Sequence, residues 1–119
     1  MKASELRIGN YLALPTRGED VVIVEEIFAN DFVVCDASSN EWPITDYAPI
    51  PLTEEWLLKL GFEFSHHGEI SNDNFIIEKY PDGYHYTGGE GVAFGTPIVY
   101  VHQLQNLYFA LTGEELKTQ

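Results

Sequence analysis

Short apolar runs separated by turn formers constrain this chain more than any other feature. NYLAL at 10–14 leads into the turn segment PTRGED at 15–20. DVVIVEEIFA at 20–29 has β-branched residues at 21–24 and adds Ile27 and Phe28. Asn30 and Asp31 favour a turn, and FVVCD at 32–36 returns as the second strand of a hairpin. DASSNE at 36–41 is a further turn cluster. WPIT at 42–45 is expected as a last short strand, confined by Pro43 to an edge or a strand end. Strands of this length and spacing predict a small N-terminal antiparallel β-sheet or an SH3-like barrel over residues 1–50.

The segment DYAPIPLT at 46–53 is a connector whose two prolines, Pro49 and Pro51, favour extended backbone. It delivers the chain to a short helix with signals at both ends. Thr53 is placed to cap the first turn, and Glu54 and Glu55 sit at the positive end of the helix dipole. Leu52 and Leu57 have the spacing of a hydrophobic staple. Gly61 supplies a left-handed stop. Trp56, Leu57 and Leu60 share one face, which a two-turn helix must bury to be stable.

A second β segment follows. FEF at 62–64 is expected as a strand, SHHGEISNDN at 65–74 as a polar loop, and NFIIEKY at 74–80 as a strand. Pro81, Asp82 and Gly83 make a turn, and GYHYTG at 83–88 returns antiparallel. GGEG at 88–91 is a loop before VAFG and PIVYV. Val101, Leu104, Leu107, Tyr108 and Leu111 then form a core-facing helical stripe, closed by Gly113. The expected fold is α+β: an N-terminal sheet or barrel, a linking helix, and a β-hairpin unit over 51–119 closed by a C-terminal helix. The two parts form one compact domain or two packed subdomains.

Charge narrows the function. The 19 acidic and 6 basic residues leave a net charge of −13 over 119 residues. The acids are scattered through both halves, and their longest runs are pairs. Such a surface repels phosphate backbones, so direct nucleic-acid binding is disfavoured. It attracts basic partners instead, and mimicry of DNA is the sharpest form of that idea. With 45% hydrophobic residues the chain is not a disordered acidic tail. No apolar stretch approaches the roughly 20 residues of a membrane span. The opening residues have no signal-peptide core, and the single cysteine, Cys35, has no internal partner. The expected location is cytoplasmic.

Three strings carry a resemblance: LRIGNYL at 6–12, PLTEEWLLKLGF at 51–62 and YVHQLQNLYFALTGEEL at 100–116. They resemble segments of a family of short, uncharacterised proteins of Bacteroides-type bacteria and their phages or mobile elements. The resemblance implies a bacterial or phage-related protein, and it assigns no functional residue, because that family has no established activity.

Catalytic patterns are weak. His66, His67, His85 and His102 could serve a metal only by converging, since no established ligand spacing links them. Cys35 lies in an apolar run beside Asp36, a setting that disfavours a thiolate. GGEGVAFG at 88–95 lacks both the P-loop ending and the dinucleotide glycine spacing. Tyr80, Tyr84 and Tyr86 flank the turn at 81–83 and either stabilise the sheet or offer an interface. Phe109 lies off the helical stripe, beside His102 and Gln105, where it meets another element or a partner. The leading expectation is a non-catalytic, acidic protein-interaction or accessory factor with a protein partner, a basic one by charge, and no cofactor. The alternative is a small metal-binding module or metal-dependent enzyme using the four histidines. Homo-oligomerisation through an unpaired strand edge is a third possibility.

Overall fold

The computed structural model describes residues 1–88 and 93–119. It is an α+β structure of two antiparallel sheets with a short linking helix and a C-terminal helix. The first sheet is a meander of β1 (Tyr11–Leu14), β2 (Glu19–Ile27), β3 (Phe32–Cys35) and β4 (Ser38–Pro43). It is an open sheet, with β1 and β4 at its two ends. β2 serves two partners: Val22 stands opposite Leu12 of β1, and Val24 opposite Cys35 of β3. Strand alternation buries Val22 and Val24 and leaves Val21 and Ile23 exposed. Leu12, Leu14, Val33 and Cys35 complete this core with Tyr47, whose hydroxyl donates to the Val33 carbonyl at 2.8 Å.

The turn expected at 36–41 is shorter than the sequence suggests. Ser38 already pairs with Cys35, and the strand runs to Pro43, so WPIT is not a separate strand. Ile44–Asp46 is a single 3₁₀ turn. The polar residues of β4 are mostly exposed on the edge of the sheet, and therefore carry no apolar alternation that would mark a strand.

The connector is bonded to the first sheet and to the chain at 99–101. Ala48 and Ala13 exchange two backbone hydrogen bonds of 2.9 Å. Leu52 N–H then donates to Val99, and Val101 N–H to Ile50. Residue 50, the expected boundary, therefore lies inside a segment that joins the two halves. Helix α1 (Glu54–Lys59) follows with its cap made, Trp56 N–H donating to Thr53 Oγ1 at 3.2 Å. The staple residues Leu52 and Leu57 are both buried, and Gly61 turns out of the helix at φ +88°.

The second sheet runs in order β5 (Glu63–Phe64), β6 (Glu69–Asn72), β7 (Phe75–Tyr80), β8 (Gly83–Tyr86) and β9 (Phe94–Ile98). β6 occupies what reads as a polar loop. Only Ile70 in it is buried, so pairing with β7 defines the strand. Gly83 has φ +141°, and a Cβ there would lie 3.0 Å from the Ile98 carbonyl oxygen, so the turn before β8 requires glycine. β9 runs through Pro97 as one strand, at the sheet edge where a missing N–H is tolerated. Residues 89–92 of the glycine-rich GGEGVAFG segment lie outside the described residues.

Helix α2 (Val101–Thr112) covers the sheet and reaches β1. Its buried residues are Val101, His102, Leu104, Gln105 and Tyr108. Val101, Leu104 and Tyr108 of the predicted stripe are buried, and the buried face is turned from that stripe by roughly 70° toward His102 and Gln105. Leu107 is only half-buried and Leu111 is 53% exposed. The cause is the chain at 9–11, which packs on the Gln105 side and draws that side inward. Phe75 centres the larger core, with the rings of Tyr86 and Tyr108 at 5.1 and 5.0 Å.

Candidate functional site

The two sides of α2 differ in kind. On one side, Gln105 is 1% exposed and hydrogen-bonded in full. Its Oε1 accepts from Tyr11 N–H at 2.8 Å and from Asn10 Nδ2 at 3.4 Å. Its Nε2 donates to the carbonyls of Gly9 and Leu116 at 3.1 and 3.2 Å. Asn106 continues this clasp, accepting from Asn10 at 2.8 Å and donating to the Glu5 carbonyl. Arg7 pairs with Glu115 and lies 3.7 Å above the Phe109 ring. Buried amides with every partner in place fix one arrangement of the chain, so this side is scaffold.

The other side is open. Leu107 and Leu111 of α2, Pro97 and Ile98 of β9 and Tyr86 of β8 line a mainly apolar hollow of about 520 Å³. Gln103 borders it and uses its Oε1 to cap the helix, accepting from Val99 and Tyr100 N–H at 2.8 and 3.0 Å. A second hollow of about 300 Å³ shares Tyr86 and Leu111 with the first. Its wall includes Asp73 and Glu114. Burial raises the pKa of Tyr108 at its floor, and the Glu114 and Asp73 carboxylates raise it further. Asp73 holds φ +53° in the turn between β6 and β7.

The four histidines do not converge. His66 and His67 are exposed on the turn before β6, His85 is buried on β8, and His102 is buried on α2. Among the described residues no group of three or more His, Cys, Asp or Glu side chains is placed to hold a metal ion. His85 pairs through Nε2 with Asp82 at 2.9 Å, under the edge of the Tyr80 ring. His102 stacks on Tyr100, with ring centres 6.0 Å apart. Burial holds its pKa below the ordinary histidine value. Cys35 is wholly buried.

The tyrosines split between two faces of the second sheet. Tyr84 and Tyr86 share one face of β8, while Tyr80, opposite Gly83, belongs with His85 on the other. Tyr84 is buried, and Tyr86 alone of the three lines the groove beside α2. Phe109 stands on the clasp side under Arg7. Sequence reasoning missed Gln105, Asn106 and Asn10. The available signal was the QLQN string, which sets amides among apolar helix positions.

The basic side chains are largely engaged. Arg7 and Lys59 pair with Glu115 and Glu55, and Arg17 lies 3.7 Å above the Trp42 ring. Lys59 also approaches Trp56, and Lys79 approaches Tyr84. Among the described residues, no other carboxylate has a lysine or arginine within ion-pair distance. No helix among them is long and apolar enough to cross a membrane. No family model, curated protein or solved structure matches the chain.

Proposed function

We propose that this chain is a non-catalytic, acidic interaction or accessory factor, working in the cytoplasm of a bacterium or encoded by a mobile element, and that its partner is a basic protein. One observation carries the reading. Four of the six basic side chains lie over aromatic rings, two of them also in ion pairs, while among the described residues most carboxylates have no lysine or arginine within ion-pair distance. The molecule therefore presents nearly unscreened negative charge, which raises encounter rates with a positive surface and repels phosphate. The bacterial setting rests on the resemblance of the three strings alone.

The test is retention from a bacterial lysate on the immobilised chain, beside a folded control protein of equal net charge. A specific basic protein held at low salt, released at high salt and rebinding when purified supports the reading. Retention no different from the control removes it.

A further inference from the structure

We propose that the groove beside α2 receives a peptide segment of the partner, one that carries a large apolar side chain with a lysine or arginine close by in sequence. This deepens the preceding reading and rests on it. The two hollows adjoin at Tyr86 and Leu111, so a bound segment can lie across both. Pro97, Ile98, Leu107 and Leu111 make the first hollow apolar, and its volume of about 520 Å³ leaves ample room for a large apolar side chain. Asp73 and Glu114 make the second anionic. No lysine or arginine among the described residues lines either hollow, and neither carboxylate is in an ion pair. A cation arriving there meets charge that the fold leaves unneutralised. Strand addition to β9 is a poorer mode, because Pro97 offers no N–H to a ladder. Recognition therefore falls to side chains, an apolar anchor beside a charged one.

The experiment uses the full chain, isotope-labelled for NMR, and three fluorescent peptides with Gly-Ser flanks. Their cores are Leu-Lys-Arg, Ala-Lys-Arg and Leu-Gln-Gln. The first should give saturable shifts at Tyr86, Ile98, Leu107, Leu111, Asp73 and Glu114. The alanine peptide should bind about tenfold more weakly, as expected for a lost leucine anchor. The Leu-Gln-Gln peptide should bind more weakly than the first and lose most of its salt dependence. Leu111→Ser should weaken the first peptide about tenfold. Asp73→Asn with Glu114→Gln should reduce the salt dependence while the acidity of the rest of the surface keeps part of it, and asparagine tolerates the left-handed backbone at 73. Equal binding of all three peptides, shifts confined to other surfaces, or indifference to Leu111→Ser overturns the proposal. If the peptides fail but the Leu111→Ser chain still retains a basic protein from lysate, the groove assignment falls and the broader reading stands. If the wild-type chain retains no such protein, the broader reading falls.

Discussion

Helix α2 shows its two long sides to different worlds. Toward the N-terminal segment it sends two amides, a buried Gln105 and a half-buried Asn106, both with hydrogen bonds made. Toward β9 it sends Leu107 and Leu111, and leaves Leu111 exposed. Gln105 and His102 thus interrupt an inner face that Val101, Leu104 and Tyr108 otherwise make apolar, as in an ordinary amphipathic helix. The amide is tolerated there because Gln105 exchanges water for protein partners on both its oxygen and its nitrogen, so its burial leaves nothing unsatisfied. Leu111, by contrast, is exposed and open to the groove, while Leu107 still packs against the core.

The largest test of this contrast compares two leucines on one helix. Leu104 has no solvent exposure. Leu104→Ala should cost about 3 kcal/mol, the loss of a buried side chain plus its cavity. Leu111→Ala should change stability by less than about 0.5 kcal/mol. Urea denaturation of both variants measures the difference. Comparable losses would mean that Leu111 belongs to the core after all.

Next in size is the clasp. Gln105→Leu keeps the bulk but strands the Tyr11 N–H and the Gly9 and Leu116 carbonyls. Unpaired buried groups of this kind are costly, so a loss of about 2 kcal/mol is expected. Hydrogen exchange at Tyr11 should accelerate in the variant, because that amide loses its acceptor. A variant as stable as the parent would show that the amide network contributes nothing net.

The contrast also explains what was legible in the sequence. Helix α1 could be read in detail because its signals are local: Thr53, the Leu52–Leu57 staple and Gly61 lie within ten residues and act on each other. β2, β3, β7 and β8 were legible from their apolar runs. β4 and β6 were not, because Ser38–Pro43 and Glu69–Asn72 are polar strands made by their neighbours' pairing. The α2 stripe was right at Val101, Leu104 and Tyr108 but extended too far toward Leu107 and Leu111, since periodicity scores Gln105 as solvent-facing and cannot know that the chain at 9–11 will satisfy it. Of the groove, Tyr86 stood out as an aromatic in a strand. Leu107 and Leu111 were assigned to the core, and Asp73 and Glu114 were hidden among 19 acids.

His102 sharpens the comparison through pH. It lies on the clasp side, 2% exposed, with Nδ1 unpartnered. Burial lowers its pKa, the nearby Glu5 carboxylate opposes that shift, and the N-terminal amine adds to it. A histidine that ionises less readily folded than unfolded takes up its proton on unfolding. Its contribution is therefore complete above about pH 6.5, the unfolded value. It is lost as pH falls from there through the lowered folded value. Stability should decline as pH falls below about 6.5, by less than the loss in Gln105→Leu. His102→Gln should flatten that part of the profile relative to the parent. An identical slope in both proteins would assign the decline to other groups.

The smallest expected effect concerns Phe109, which sequence alone leaves divided between a partner and the fold. Its ring supports the Arg7 guanidinium at 3.7 Å, and Arg7 also pairs with Glu115. Both members of that ion pair are about one-third exposed, so solvent screens it and little stability comes from the charges alone. The cation–π contact should contribute about 0.5 kcal/mol at such a site. A double-mutant cycle of Phe109→Leu and Arg7→Met isolates it, because leucine keeps the apolar contact and methionine keeps the stem. Coupling of that size would make Phe109 part of the clasp, and peptide binding in the groove should then be the same in Phe109→Leu as in the parent. Zero coupling would free the ring for a partner and place a second contact surface on the side of α2 that the buried amides otherwise close.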